Sequence, residues 1–523
     1  MQKTMPLTGP RLDAPADLAK LLSGCLKTKP DELALVSAET RWTWRQLEET
    51  SDRLARNLLG LGLKPGDRVA SLMPNRTALV IHYLACIKAG LVATPLNYRY
   101  MPPEMDHALR LSEASILFAH AERADDIAAS ALASKLPLGL ISYGGSLGDS
   151  PSFEQLIETG AAVDLPAIDR SAPAFILFTS GSTGLPKGVT HSRETLGWMM
   201  ASGVAALELT AQDVLLPGSS ISHIAGILNS LTGLAYGARV VVARSFDGDE
   251  LLALLRETRP TALWMLPAAL FRVVREHGAT RDDFASLRLC FSGGDMIPAE
   301  LNREFSDLAG IAIDELYGMT ETGHISINPP SGENRLGSVG KLNAGFTAAI
   351  RDEDGAELPV GQEGRLWVRG PTLTVGYWKQ PVATAETICD GWLDTGDVMR
   401  ADDDGYLWFC GRRKQIIVHD GSNICPQEVE GSLLSHPAVE SAGVVGVHDL
   451  THGETVHAYI TLRQGVARPS SQELIDFARA RVNYKAPEVI VVLDKMPLNA
   501  TGKVDRVALK KLAADQLAAE HPD

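Results

Sequence analysis

The stretch FILFTSGSTGLPKGVTHS, Phe175–Ser192, runs an apolar segment into hydroxyls and glycines and closes on a single lysine. Its residue types suit phosphate. Thr179, Ser180, Ser182 and Thr183 offer hydroxyls and exposed backbone N–H groups to phosphate oxygens. Gly181 and Gly184 let the backbone approach closely, and Lys187 supplies the charge. A nucleotide-binding P-loop needs GxxxxGK followed by Ser or Thr. Counting from Gly181, Pro186 stands where the second glycine must be, and Gly188 replaces the hydroxyl residue. The loop therefore binds phosphate by another arrangement, at the end of a buried strand.

The elements that must position it form a repeating pattern. From about 35 to 345, short β-rich runs alternate with helix-period segments: RVASLM, then TALVIHYLACIKAG, then ATPLN; ARVVVA, then GDELLALLRETRP, then TALWMLP. This pattern predicts an α/β fold of doubly wound parallel sheets, whose ligands bind at the carboxyl ends of the strands. After Gly345 the texture changes to short strands between turns, predicting a β-rich subdomain over about 335–410. GRRKQIIVHDGSNICPQEVE leads into a last block of one helical and several strand-like runs, read as a small α+β domain. The expected domains are 1–413 and 414–523, with the boundary at Lys414.

Bulk properties exclude several classes. A net charge of −15 spread along 523 residues gives no basic patch for nucleic acid or an anionic membrane. The longest apolar run is broken by His82 and Lys88, so no transmembrane helix is expected. The six cysteines form no CxxC pair or zinc-like cluster, which favours buried thiols in a reducing compartment. No secretory signal is read at the N-terminus, and the expected location is cytoplasmic.

The phosphate loop resembles the signature loop of the adenylate-forming superfamily, which includes acyl- and aryl-CoA synthetases, peptide-synthetase adenylation domains and firefly luciferase. Further motifs of that family follow in order over about 30–506. ELYGMTETG (Glu315–Gly323) resembles YGxTE. It implies Tyr317 and Gly318 at adenine, Thr320 at the α-phosphate and Glu321 on Mg²⁺, a hard cation that shares its shell with phosphates. GWLDTGDV resembles the TGD motif, with Asp397 on the ribose hydroxyls, although a bare TGD reads only as a turn. GRRKQI implies Arg412 at ribose or phosphate and Lys414 as a hinge. PLNATGKVDR implies Lys503 as the catalytic cation. FSGGDMIP implies Gly293 and Gly294 beside adenine and the acyl tail. SISHIAG implies an acyl pocket gated by His223.

What the resemblance implies is a two-step reaction. A carboxylate attacks the α-phosphate of ATP, giving acyl-AMP and pyrophosphate, and a thiol then displaces AMP. Like charges meet in the first step, so cations must be in place beforehand. Lys503 would bridge carboxylate and α-phosphate, and Lys187 with 179–184 would hold the β- and γ-phosphates. Rotation of the C-terminal domain about Lys414 would then bring the loop at Gly421 to the active site for CoA. His191 is read as a loop residue rather than a base.

The pocket segment Ser219–His223 lacks the acid that would pair with an amino-acid substrate, and Val418 replaces luciferase's second lysine. Pocket candidates Met199, Met200, Ile224, Leu228, Met296 and Ile325 are apolar, favouring a fatty or aryl acid. Only about twenty residues follow Lys503, so no carrier-protein domain is expected there. Two departures bear on selectivity. Asp295, in GGDMIP, faces either the adenine amine or a polar substrate group. Asp420, in VHDGSNI, lies beside the expected pantetheine path and leaves a carrier-protein thiol as the alternative to CoA. A homodimer is compatible with all of this.

Overall fold

The computed structural model describes residues 7–520 except 168, 180–185, 247, 296, 413–414, 420–421, 450–452 and 500–501. Two large sheets carry the first part of the chain. The seven-stranded sheet has a parallel centre, Pro173–Thr179, Val92–Pro95, Arg68–Leu72, Ile116–His120 and Leu140–Tyr143. Its other edge is antiparallel: Lys187–Ser192 pairs with Pro173–Thr179, and Gly376–Tyr377 pairs with Lys187–Ser192.

The nine-stranded sheet has a parallel centre of Ile313–Met319, Leu289–Gly293, Ala262–Met265, Val214–Gly218, Arg239–Val241 and Leu33–Val36. Gly323–Ile327 folds back antiparallel on Ile313–Met319. The helix Thr77–Ala89 explains how the sheets are joined. Nearly every one of its residues is buried, as expected of a helix apolar all round and packed on more than one side. Its side chains share one continuous core with residues of both sheets.

The β-rich part is a six-stranded antiparallel sheet built from Thr347–Arg351, Gly364–Arg369, Ile388–Cys389, Trp392–Ala401 and Leu407–Arg412. The sixth strand is Leu7–Thr8, which pairs with Thr347 and Ala348. The last block is a five-stranded sheet (Ile417–His419, Ser422–Ile424, Val439–Asp449, Gly453–Leu462, Val489–Val492) with helices Pro426–Leu434, Ser471–Val482 and Arg506–Glu520. The chain passes from one sheet to the other between Arg412 and Ile417. No helix among the described residues is long and apolar enough to cross a membrane.

Candidate active site

The phosphate motif is flanked by two antiparallel strands, Pro173–Thr179 and Lys187–Ser192. Thr179 and Lys187 stand opposite each other in the ladder and close it; Ser180, Gly181, Ser182, Thr183 and Gly184 lie outside the described residues. Lys187 Nζ sits 4.8 Å from the centre of the Tyr377 ring, in the geometry of a cation–π contact. Tyr377 in turn donates its hydroxyl to Glu321 Oε1 at 2.8 Å. Glu321 is buried, which pushes its carboxyl up, while Tyr377, Arg412 and Lys187 draw it back.

Thr320 and Glu321 occupy the turn of a second hairpin, between Ile313–Met319 and Gly323–Ile327, where Met319 faces Gly323. A Cβ on Gly318 would lie 2.3 Å from the Gly323 carbonyl oxygen, so glycine is required there. Two ties hold this hairpin to the neighbouring sheet. Thr374 N donates to the Glu321 carbonyl at 2.7 Å. His191 Nε2 donates to the Thr320 carbonyl at 2.8 Å. His191 is therefore not a loop residue. It lies in the strand Lys187–Ser192, fully buried, and burial pulls its pKa down to about 4. A neutral imidazole with its Nε2 proton committed to a carbonyl is a tie between sheets, not a base.

Asp397 marks the next wall. Its TGD segment is no free turn. It lies within the strand Trp392–Ala401, with Gly396 at φ +71° and a register shift in each of the pairings to the two neighbouring strands. Bulges of this kind re-aim a side chain. Here Asp397 accepts from the Tyr317 hydroxyl at 2.6 Å and from Arg412 Nε at 3.0 Å. Burial raises the Asp397 carboxyl, and Arg412 and Tyr317 oppose that rise. Gly293 ends a central strand where a Cβ would lie 2.3 Å from the Leu316 carbonyl, and Gly294 takes φ +81°.

Lys503 arrives from the C-terminal domain; its carbonyl accepts from Asn499 N at 2.8 Å, and the preceding Gly502 takes φ +84° and donates its N–H to the Asn499 carbonyl at 2.9 Å. Its Nζ donates to the Gly294 carbonyl. The residue keeps contact with solvent at the cleft mouth, yet the cleft walls surround it, and this lowers its pKa. Arg412 and Arg506 lower it further, while Asp295 and Asp397 raise it. The Asp295 charge bears on two groups of the C-terminal domain, Lys503 and Glu430. His223 stands at the start of the helix Ile224–Ala235, with its pKa brought down to about 4 by burial and by the charges of Lys503 and Arg99.

Other expected residues divide. Ile224 is half-buried beside His223, whereas Met200 and Ile325 are fully enclosed in two different cores. Met296, Lys414, Asp420 and Gly421 lie outside the described residues. Two surface hollows, about 200 Å³ beside Arg170 and Arg193 and about 590 Å³ beside Ser146 and Ser150, contain none of the site residues.

Sequence reasoning missed Thr374 and Tyr377, whose signal was the unread run TLTVGYWK just outside the quoted motifs. As for metal, no cluster of three or more His, Cys, Asp or Glu fit to hold an ion exists among the described residues. A single positioned carboxylate, Glu321, fits a magnesium ion whose remaining ligands are phosphate oxygens and water.

Phosphate hairpin, Asp397 beside a tyrosine and an arginine, and a lysine delivered from a second domain together define a nucleotide-dependent, adenylate-forming enzyme. Residues 24–378 match the AMP-binding enzyme family and 428–503 its C-terminal domain. The chain belongs to the AMP-binding enzymes and is an acid–thiol ligase of the acyl-CoA synthetase class. It is 33% identical to a feruloyl-CoA synthase of an Amycolatopsis species over 91% of this chain and 95% of that one. It is 31% identical to the fatty acid–[acyl-carrier-protein] ligase ScoC of Streptomyces coeruleorubidus, over 92% and 93% of the two chains. Among solved structures, ATP-bound MatB from Rhodopseudomonas palustris superposes with a TM-score of 0.87 at 30% identity, covering 96% of this chain and 99% of that one.

Proposed function

We propose that this ligase activates an aryl, cyclic or fatty carboxylic acid as its acyl-AMP and passes the acyl group to CoA. The observation that carries the reading is the position of Lys503. Its ammonium lies at the Gly294 carbonyl, on the side of the cleft where Asp397, Tyr317 and Arg412 are already joined. A cation held there stabilises the charge that builds as carboxylate meets α-phosphate. Lys187 and the 179–184 hairpin would take the β- and γ-phosphates. Glu321 would hold magnesium, which supplies further neutralisation of the phosphates when bound. Asp397 would receive the ribose hydroxyls.

The acyl group would pass His223 and Ile224. His223 is neutral and Ile224 apolar, which suits a fatty or aryl chain, and the resemblance to a feruloyl-CoA synthase supports an aryl acid. For the second half-reaction, the C-terminal domain would turn about Lys414, withdraw Lys503 and present the loop at Gly421 to the thiol. We place the enzyme in the cytoplasm; a homodimer is compatible with this reading.

The test is pyrophosphate release with ATP and Mg²⁺ over a panel of fatty, benzoic, cinnamic and cyclic acids, each with and without CoA. Turnover that requires CoA and yields AMP and a thioester supports the reading. A single burst that CoA does not relieve contradicts CoA as acceptor and points to a carrier-protein thiol.

A further inference from the structure

Lys503 reaches the cleft on a narrow arm of the C-terminal domain. Leu498 and Val504 face each other in an antiparallel bridge, and Asp505 N donates to the Pro497 carbonyl at 2.9 Å. Beyond them, Asn499 accepts the Lys503 N–H on its side-chain Oδ1 at 3.1 Å and gives its own N–H to the Lys503 carbonyl at 2.8 Å. Leu498 is exposed, so the arm is not packed on that side. An arm tied chiefly to itself places its tip only as well as its base is held.

The base is held by charge. Arg506, which opens the helix Arg506–Glu520, donates from Nη2 to both carboxylate oxygens of Glu430, each at 2.6 Å. Glu430 stands on the helix Pro426–Leu434 and is 7% exposed. Val444 N, from the strand Val439–Asp449, also donates to Glu430 Oε1 at 2.7 Å. Burial raises the Glu430 carboxyl, while Arg506 and the Val444 N–H draw it back. The same strand makes room for the arm. A Cβ on Gly443 would lie 2.6 Å from Val504 Cγ1 and 2.6 Å from Leu509 Cδ1, so the base fills the space that a side chain would take.

Stability alone does not explain such a pair. Desolvating two charges costs about as much as their attraction returns, and apolar residues often replace a buried pair without loss. What the pair does provide is a fixed direction. The helix Pro426–Leu434 follows directly on Ile417–His419 and Ser422–Ile424, the first strands after the chain crosses between the two sheets. Through Glu430 the lysine arm is therefore joined to the part of the C-terminal domain next to that crossing.

We propose that the Arg506–Glu430 ion pair positions Lys503 for adenylation, by fixing the base of its arm to the helix that follows the crossing between the domains. Arg506 and Glu430 are positioning residues that act through Lys503. The inference rests on the reading of Lys503 as the cation of the first half-reaction, and names what aims it.

The test uses the full-length wild type, the double variant Glu430→Met with Arg506→Met, and Glu430→Gln. It measures acid-dependent pyrophosphate release, thioester formation from supplied acyl-AMP, and the thermal midpoint. Removing one partner would strand a buried charge, so both are replaced together by apolar residues. The double variant is expected to melt close to the wild type. Its kcat for adenylation should fall about 100-fold, the effect of a misplacement of about 1 Å. KM for ATP and acid should stay within a few-fold, as when an interaction made only in the transition state is removed. Thioester formation should also stay within a few-fold, because it does not use Lys503. Glu430→Gln keeps the shape and an acceptor, and should lose about 10-fold in adenylation, the difference between a charged and a neutral hydrogen bond.

Adenylation at the wild-type rate by the double variant overturns the proposal. So does an equal fall of both half-reactions, the mark of a merely structural pair. If the double variant does not fold, Glu430→Gln decides: a selective loss of adenylation supports the proposal and a wild-type rate overturns it. An active wild type with indifferent variants fails this inference alone. A wild type that releases no pyrophosphate with any acid fails the functional reading beneath it.

Discussion

The nucleotide wall and the acyl wall of the cleft are built on opposite terms. On the nucleotide wall the polar side chains hold one another: Tyr317 and Arg412 on Asp397, Tyr377 on Glu321, His191 on the Thr320 carbonyl. On the acyl side His223 caps the helix Ile224–Ala235 with no side-chain hydrogen bond to it. Pre-paired groups hold charge-stabilising geometry before the ligand arrives, which is how electrostatic catalysis avoids reorganisation. Unpaired groups gain their partner only from the correct ligand, which is how a site discriminates. On the proposed reading, one wall serves the reaction common to the family and the other the choice of acid.

The comparison can be broken most sharply at the residue that joins the two walls. Lys503→Ala should lower acyl-AMP formation by about 100- to 1,000-fold, the cost of losing a transition-state donor. Thioester formation from supplied acyl-AMP should stay within a few-fold of wild type, and quench-flow of the separate half-reactions checks this. An equal fall in both would show that Lys503 is not confined to adenylation. A smaller loss is expected on the nucleotide wall. Tyr377→Phe releases Glu321 from its hydroxyl and should cost about 10- to 100-fold in kcat/KM for ATP, the range for a bond to a charged group. That loss should be alike for every acid.

The next effect is a shift in pH dependence. Lys503 must be charged to assist adenylation, and its pKa is already below the ordinary 10.5, with Asp295 among the groups that hold it up. Asp295→Asn removes a raising charge, so the alkaline fall of the adenylation rate should move to lower pH. An unmoved alkaline limb would place Asp295 away from the lysine's field.

The smallest effect is on stability. His82 is depressed to about 3, and His191, His223 and His324 to about 4, all by burial first. The unfolded chain binds protons at these groups from about pH 6.5 downward and the folded chain does not, so stability is kept above 6.5 and lost as pH falls toward 4. Each such group contributes up to about 1.4 kcal/mol per pH unit in that window. Thermal midpoints measured from pH 7 to 4.5 should fall, and His191→Asn should flatten the slope.

How much of this the sequence disclosed depends on the range of the interactions. Alternating strand and helix patterns are local, and they revealed the parallel sheets. Pairing between distant segments is not: nothing in the run around Leu7–Thr8 announces Thr347 as its partner. His191 was misread because KGVTHS contains one large apolar residue, and the strand that pairs beside it at Val189 and Thr190, Gly376–Tyr377, comes from far along the chain. Asp397 was singled out, but its bulge was taken for a turn, because a glycine at positive φ looks the same in both. The motifs singled out Tyr317, Thr320, Glu321, Asp397 and Arg412 as residues. The ties that hold them, Tyr377 and Thr374, come from a segment whose role appears only when the sheets meet.

The central claim is that this cleft joins a carboxylate to AMP before any thiol is involved. It is tested most directly by ATP–pyrophosphate exchange with Mg²⁺ and the best acid of the panel, in the absence of CoA. The account predicts exchange that depends on the acid, needs no CoA and is lost in Lys503→Ala. Exchange that proceeds without acid, that requires CoA, or that survives the loss of Lys503 would contradict it.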